Sequence, residues 1–366
     1  ASPQAAWVRG EGPRPALPQG QLAAWEGRAA QAMSSGAVRA LAAALAVAGA
    51  AAELNFCAIG DWGGQDTPPF YTPGQMAVAQ GMGAVAERIG ATFVLGLGDN
   101  FYNSGIHGSE NSARFDETFE SVYTAESLQT PFYFVGGNHD HSGNVSAQIA
   151  YSSHSERWTF PDYWYSFSRS FAGEDGSELS AEFIMIDTVL LAGLITYAEG
   201  HPLYFSKPPG PLDEGIAQKQ WAFIEDAMAS STADYLFVAG HYPVFSVGSH
   251  GSTPLLVKKL QPLLKQYAGT SISGHDHTAQ HLEQDGVVYL QMGASDECCY
   301  SAGSMHEVPA GSLVYYLTGD NNPTGAIGSF MCITLGAASG SATFYDQDGN
   351  VLHETGAVLA PRLGRA

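Results

Sequence analysis

The chain has 366 residues, 45% of them hydrophobic, enough to bury one large core or two smaller ones. Its 15 basic and 36 acidic residues give a formal charge of −21, a surface that repels nucleic acid and anionic membranes. A phosphorylated ligand would feel the same repulsion, and Lys and Arg are sparse near the motifs below, so the positive centre needed to hold one points to metal ions.

Residues 1–32 show no hydrophobic period and read as a non-native or disordered extension. Met33 to Arg39, followed by the alanine-rich run 40–52, has the basic residue, short apolar stretch and small-residue end of a secretory signal peptide over 33–52. That run is too short and too rich in alanine for a membrane span.

Residues 54–60 form a short apolar run, the pattern of a buried strand, and lead into Asp61. Val78, Met82, Val85, Ala86 and Ile89 recur at spacings of three and four, which predicts a helix over 73–90. Residues 92–98 are a second buried strand, so strand, helix and strand make a parallel crossover unit. This strand runs into Asp99, with Tyr102 three residues on. The strand 132–135 leads to Asn138 and His139, and an aromatic-rich insertion follows to Phe171. Residues 183–187 form a further strand. Residues 190–215, with four prolines, are a long loop. Ala217, Trp221, Ile224 and Met228 mark an amphipathic helix. The strand 235–239 ends at His241, a helix spans 255–267, and the strand 271–273 ends at His275 and His277. Strands over 287–292, 330–335 and 342–345 read as antiparallel. The order predicts an α/β fold, two packed mixed β-sheets flanked by helices.

Cys57 and Cys332 lie in apolar strand-like runs and read as small buried hydrophobes. The adjacent Cys298 and Cys299 could oxidise, though neighbouring residues make awkward partners. Neither a zinc-ribbon spacing nor a dense disulfide framework is present.

Five strand ends thus carry Asp61; Asp99 with Tyr102; Asn138 with His139; His241; and His275 with His277. In open α/β sheets the carboxyl ends of strands are where ligands bind. Carboxylate oxygens, a phenolate and imidazoles suit iron, zinc or manganese, and one aspartate can bridge two ions. Each piece alone is ordinary, since strand-end aspartates often only cap turns. Only a fold that gathers all five makes a site.

Gly60-Asp61-Trp62-Gly63, Gly98-Asp99-Asn100-Phe101-Tyr102, Gly137-Asn138-His139-Asp140, Gly240-His241-Tyr242-Pro243 and Gly274-His275-Asp276-His277 resemble the five motif blocks of the purple acid phosphatases, within the calcineurin-like metallophosphoesterases. The likeness is to the small animal-type tartrate-resistant (type 5) enzymes, and it extends over 54–355. Residues 143–151 and 238–244 also match that group. Tyr102 separates the purple enzymes from relatives with histidine there.

The resemblance implies a four-layer α/β/β/α sandwich, with a metallophosphoesterase catalytic domain over 53–356 and a tail over 357–366. It implies that Asp61, Tyr102 and His277 hold Fe(III), that Asn138, His241 and His275 hold Fe(II), Zn or Mn, and that Asp99 bridges them. Two carboxylates and a phenolate would leave that pair positive enough for a phosphate dianion. It also implies an acid phosphatase that hydrolyses phosphomonoesters with a metal-bound hydroxide as nucleophile. His139 and His250 match the family's two outer histidines, which assist departure of the leaving group. Implied substrates are phosphorylated small molecules or phosphoproteins, with no nucleic-acid partner and no membrane insertion after signal removal. The expected protein is a monomer, secreted or held in an acidic lysosome- or vacuole-like compartment.

A phosphodiesterase or nucleotide pyrophosphatase on the same site is an alternative, and a non-catalytic metal-binding protein is a third reading. Asp140 and Asp276 are expected to orient ligands rather than bind metal. His141 and His281 read as structural or surface histidines, and Trp62 as a wall of the site or core filler. Asn144-Val145-Ser146 is a glycosylation sequon that matters only if the chain is secreted. In the animal enzymes an exposed loop represses activity until it is cut; here the corresponding residues 194–215 are longer and apolar, with Lys207 the one Lys or Arg, which puts that regulation in doubt.

Overall fold

The computed structural model describes residues 53–173, 176–195 and 206–362. The expected extension and signal peptide therefore lie outside the described residues, as does part of the 190–215 loop.

The chain begins with β1 (Leu54–Ile59), α1 (Pro73–Ile89), β2 (Val94–Gly96) and β3 (Phe132–Phe134). Helix α1 starts where Thr72 accepts a hydrogen bond from the Gln75 amide and Pro73 takes the first helical position. It stops at Gly90, whose φ of 66° only glycine adopts freely. Two short helices, α2 (Asn138–His141) and α3 (Val145–Tyr151), precede β4 (Trp158–Thr159), β5 (Tyr165–Ala172) and β6 (Glu178–Met185). The expected aromatic insertion thus contains a helix and two edge strands, β4 of one sheet and β5 of the other. Next come α4 (Thr188–Ala192), α5 (Glu214–Ser230), β7 (Tyr235–Ala239), α6 (Pro254–Tyr267) and β8 (Thr270–Ser273). The remaining strands are β9 (Ala279–Gln284), β10 (Val287–Met292), β11 (Leu313–Leu317), β12 (Ser329–Leu335), β13 (Gly340–Asp346) and β14 (Val351–Glu354).

They form two seven-stranded mixed sheets, ordered β14-β13-β12-β1-β2-β3-β4 and β11-β9-β10-β8-β7-β6-β5. The run of strands after β8 is not one antiparallel unit. Strand β10 pairs parallel with β8 in the second sheet, whereas β12 and β13 extend the first sheet antiparallel from β1.

Strand parity explains the layers, because alternate side chains point to opposite faces. Leu54, Phe56 and Ala58 of β1 meet Phe183 and Met185 of β6 and Phe237 and Ala239 of β7 in a core between the sheets. Cys57 and Ile59, on the other face of β1, pack with Val78, Met82 and Val85 of α1. Ile184, Leu236 and Val238 face outward to Trp221, Ile224 and Met228 of α5 and Leu256, Leu260 and Leu264 of α6. The result is the helix–sheet–sheet–helix sandwich.

A second expectation is corrected. Cys57 and Cys332 are joined by a disulfide rather than buried as separate thiols. They are direct antiparallel partners on β1 and β12, and a register linking positions 275 residues apart has no trace in local sequence. Cys298 and Cys299 are also bonded to each other. Trp62 is core: fully buried, it packs among Phe101, Phe119, Tyr123, Phe134 and Trp158. Beyond β14, Leu359 pairs with Gly340 and Arg362 donates to Ser231.

Candidate metal centre

The parallel strands β1, β2, β3, β7 and β8 turn sharply at their carboxyl ends, and each turn delivers a polar side chain. Asp61, Asp99 and His275 adopt φ of 55°, 49° and 77°, a left-handed backbone that few non-glycine residues occupy. Such outliers persist only where surrounding structure holds them, and they concentrate at functional sites. The glycines beside them allow close approach. A Cβ on Gly137 would come within 2.2 Å of Asp99 Oδ1, and one on Gly274 within 2.6 Å of Asp61 Oδ2.

All nine sequence-predicted residues come together. The Tyr102 hydroxyl lies 3.2 Å from Asp61 Oδ1, 3.5 Å from Asp99 Oδ2 and 2.9 Å from His277 Nε2. On the other side, Asp99 Oδ2 is 3.4 Å from His241 Nε2, which is 3.0 Å from Asn138 Oδ1. Asp99, His241 and His275 offer ligand atoms within 4.8 Å of one another. Asp99 Oδ2 therefore stands between a Tyr102–Asp61–His277 group and a His241–Asn138–His275 group. His139 Nε2 is 3.9 Å from Asp99 Oδ2, and the His250 ring is 4.2 Å from that of His275.

The electrostatics describe a place built for cations. Burial raises the Asp61 carboxyl well above its usual range, helped by facing Asp99. Burial also pushes Asp99 up, but His241 and His139 pull it down further, below the ordinary carboxylate range. Burial and the two carboxylates drive the Tyr102 phenol well up. Burial lowers His275, with His250 adding to the effect, and takes His277 to about 3. Burial also lowers His241, but Asp99 and Asp61 outweigh it and raise the imidazole to about 9. Imidazoles beside clustered carboxylates and a phenol are the hard-oxygen-plus-nitrogen donor set that iron, zinc or manganese takes. The residues fit a pair of such ions.

Supporting residues hold these turns, and among them Arg114 had no motif to announce it. Asp140 Oδ2 accepts from the amides of Gly137 and Asn100, at 2.8 and 3.0 Å, and Oδ1 from Gln148, tying the β2 turn to the β3 turn. Asn100 donates to Val135 O and Gln148 and accepts from Trp62 Nε1. Arg114 donates to Gly63 O and Tyr102 O, joining the β1 and β2 turns. Asp276 accepts from the His250 amide at 2.7 Å and its Nδ1 at 3.1 Å, and from Gly251 and Ser246. Asp140 and Asp276 thus orient their neighbours. His141, bound to Asp187 at 2.7 Å, and buried His281 are structural. Lys207 reaches from the long loop to the His250 carbonyl and pairs with Glu307.

A fold whose two sheets bring five strand turns to one polyvalent oxygen–imidazole cluster defines a metal-dependent phosphoesterase architecture, and comparison with known proteins agrees. The calcineurin-like phosphoesterase family matches residues 54–279. Rabbit (Oryctolagus cuniculus) tartrate-resistant acid phosphatase type 5 is 40% identical over 310 residues, covering 84% of this chain and 91% of the relative. Purple acid phosphatase 17 of Arabidopsis thaliana is 30% identical over 304 residues, covering 82% and 83%. Among solved structures, GAP50, the anchor in the inner membrane complex of Plasmodium, shares the fold with a TM-score of 0.69 and 24% identity over 86% of this chain and 90% of its own. The chain belongs to the calcineurin-like phosphoesterases, in the group that holds the purple and tartrate-resistant acid phosphatases. It is a phosphoesterase. Fold alone does not carry an activity, so the chemistry rests on the site.

Proposed function

We propose that this enzyme is an acid phosphatase that hydrolyses phosphomonoesters at a binuclear metal centre. Asp61, Tyr102 and His277 would hold Fe(III); Asn138, His241 and His275 would hold Fe(II), Zn or Mn; Asp99 would serve both. The observation that supports this most is the Tyr102 hydroxyl, set among Asp61, Asp99 and His277. A phenolate there is a donor suited to ferric iron. When bound, the two ions supply positive charge to phosphate oxygens and make water easier to deprotonate.

The protein's own groups do the rest. His250 is held through Nδ1 by Asp276, with its ring 4.2 Å from that of His275, where it would give a proton to a departing alkoxide. His139 is held through Nδ1 by the Asn103 carbonyl, with Nε2 toward Asp99. Substrates would be small phosphate esters or phosphoproteins, and the protein would act as a monomer. The Cys57–Cys332 bond favours secretion or an acidic, oxidising compartment, since structural disulfides persist there. No helix among the described residues is long and apolar enough to cross a membrane.

The test is metal analysis with a visible spectrum, followed by rates on a phosphomonoester and its diester across acidic pH. Two bound metals, tyrosinate colour and monoester preference are expected. Preference for the diester would overturn the substrate assignment, and metal bound without turnover would leave a binding protein.

A further inference from the structure

Most of the site's imidazoles are oriented by a hydrogen bond from the nitrogen that faces away from the centre. His241 uses Nδ1 on Leu97 O at 2.9 Å, His139 uses Nδ1 on Asn103 O, and His250 uses Nδ1 on Asp276 at 3.1 Å. A second partner of this kind fixes ring orientation and tautomer for a metal-binding histidine. His277 lacks one. Its Nε2 faces Tyr102, and its buried Nδ1 has no hydrogen-bond partner among the described residues.

What meets the ring instead is Tyr300. The two rings lie 4.2 Å apart with planes 4° from parallel. Tyr300 is itself registered to the same residue, because its amide donates to His277 O at 2.8 Å. Its carbonyl accepts from the Gly319 amide at 2.8 Å, and Cys298, two positions earlier, donates to Ile327 O at 3.0 Å. Backbone and ring of Tyr300 therefore index on His277 together, a geometry that stops the imidazole from turning about its Cβ–Cγ bond.

We propose that Tyr300 is the positioning residue of His277, holding the imidazole plane by face-to-face stacking in place of the outward hydrogen bond its neighbours use. The inference rests on the binuclear reading above and concerns metal retention rather than turnover. A stack of this kind is worth about two- to tenfold in an equilibrium.

The experiment compares the metal-loaded parent protein with Tyr300→Phe and Tyr300→Leu, following release of metal to excess chelator and the visible band. Tyr300→Leu should release metal about two- to tenfold faster, with a displaced or broadened band. Tyr300→Phe, which keeps the ring, should match the parent. Tyr300→Met serves as the non-aromatic variant should leucine prevent folding, judged by circular dichroism. Unchanged release and an unchanged band in the non-aromatic variant would overturn the inference alone. Equal loss in Tyr300→Phe would also overturn it, since the hydroxyl rather than the stack would then be at work. A parent protein that takes up no metal overturns the binuclear reading and this inference with it.

Discussion

Tyr102 and His277, 175 residues apart in the chain, meet with the phenol oxygen 2.9 Å from Nε2. Burial and the flanking carboxylates of Asp61 and Asp99 raise that phenol far above its ordinary range, so it ionises only beside a cation. Iron uptake should therefore release protons and generate a visible band. Tyr102→Phe should abolish the band and lower activity by at least about 10–100-fold, the loss typical even of outer partners of metal ligands. Titration of the metal-free protein with iron, read by absorbance and pH-stat, checks both. A band that survives Tyr102→Phe would remove the phenolate from the site.

His250 and His139 differ from the metal-binding candidates in what they should affect. Replacing either with Gln should reduce kcat by about 10²–10⁴-fold for alkyl esters, whose leaving groups need a proton. Aryl phosphates, with better leaving groups, should suffer much less. Rates across a series of esters of graded leaving-group acidity make the comparison. Equal losses along the series would assign these residues to binding.

Asp276 gathers the His250 amide, its Nδ1, Gly251 and Ser246 on one buried carboxylate. Asp276→Asn keeps the volume but puts an amide where an acceptor is needed. Activity should fall about 10–100-fold, mainly in kcat, with metal content retained. Metal analysis beside steady-state kinetics would reveal the opposite case, in which Asp276 matters only for holding His275 and His277.

The Cys57–Cys332 bond ties neighbouring strands of the first sheet. Replacing both cysteines with alanine should cost about 2–4 kcal/mol while leaving the metal ligands intact. Denaturant unfolding of the oxidised parent and the double variant measures it. Identical midpoints would mean the bond contributes nothing to the fold.

A histidine pair far from the metal cluster should set part of the pH dependence of stability. His281 of β9 lies 3.1 Å from His353 of β14, with Glu283 3.3 Å from its other nitrogen and Tyr315 of β11 stacked on His353. Burial, with His353 adding to it, lowers His281 to about 4, and His353 is also lowered by burial. A histidine depressed in the fold contributes stability above the unfolded value near 6.5 and loses it as pH falls toward 4. The melting temperature should decline across that window, and His281→Gln should flatten the decline. A slope unchanged by the substitution would place the titration elsewhere.

The amphipathic spacings of α1 and α5 and the apolar runs of β1, β7 and β10 were legible because burial on one or both faces writes a period into local sequence. The residue types at the strand ends were equally legible, since a ligand must be of a given chemistry wherever it stands. Strand β5 lies within the aromatic-rich insertion, where Tyr165, Phe167 and Phe171 alternate with polar residues. That period of two marks a half-buried edge strand, which the aromatic composition of the insertion obscured. Nothing local marks Cys57 for Cys332, Asn100 for Trp62, Asp276 for His250 or Tyr300 for His277. Those pairings exist only because strand register and the packing of the loops beyond the strands bring distant positions together. Sequence thus determined which donors this protein possesses, and tertiary structure decided which of them meet and what holds each in place. The reason is that donor chemistry belongs to single side chains, while orientation depends on neighbours supplied by sheet register and packing.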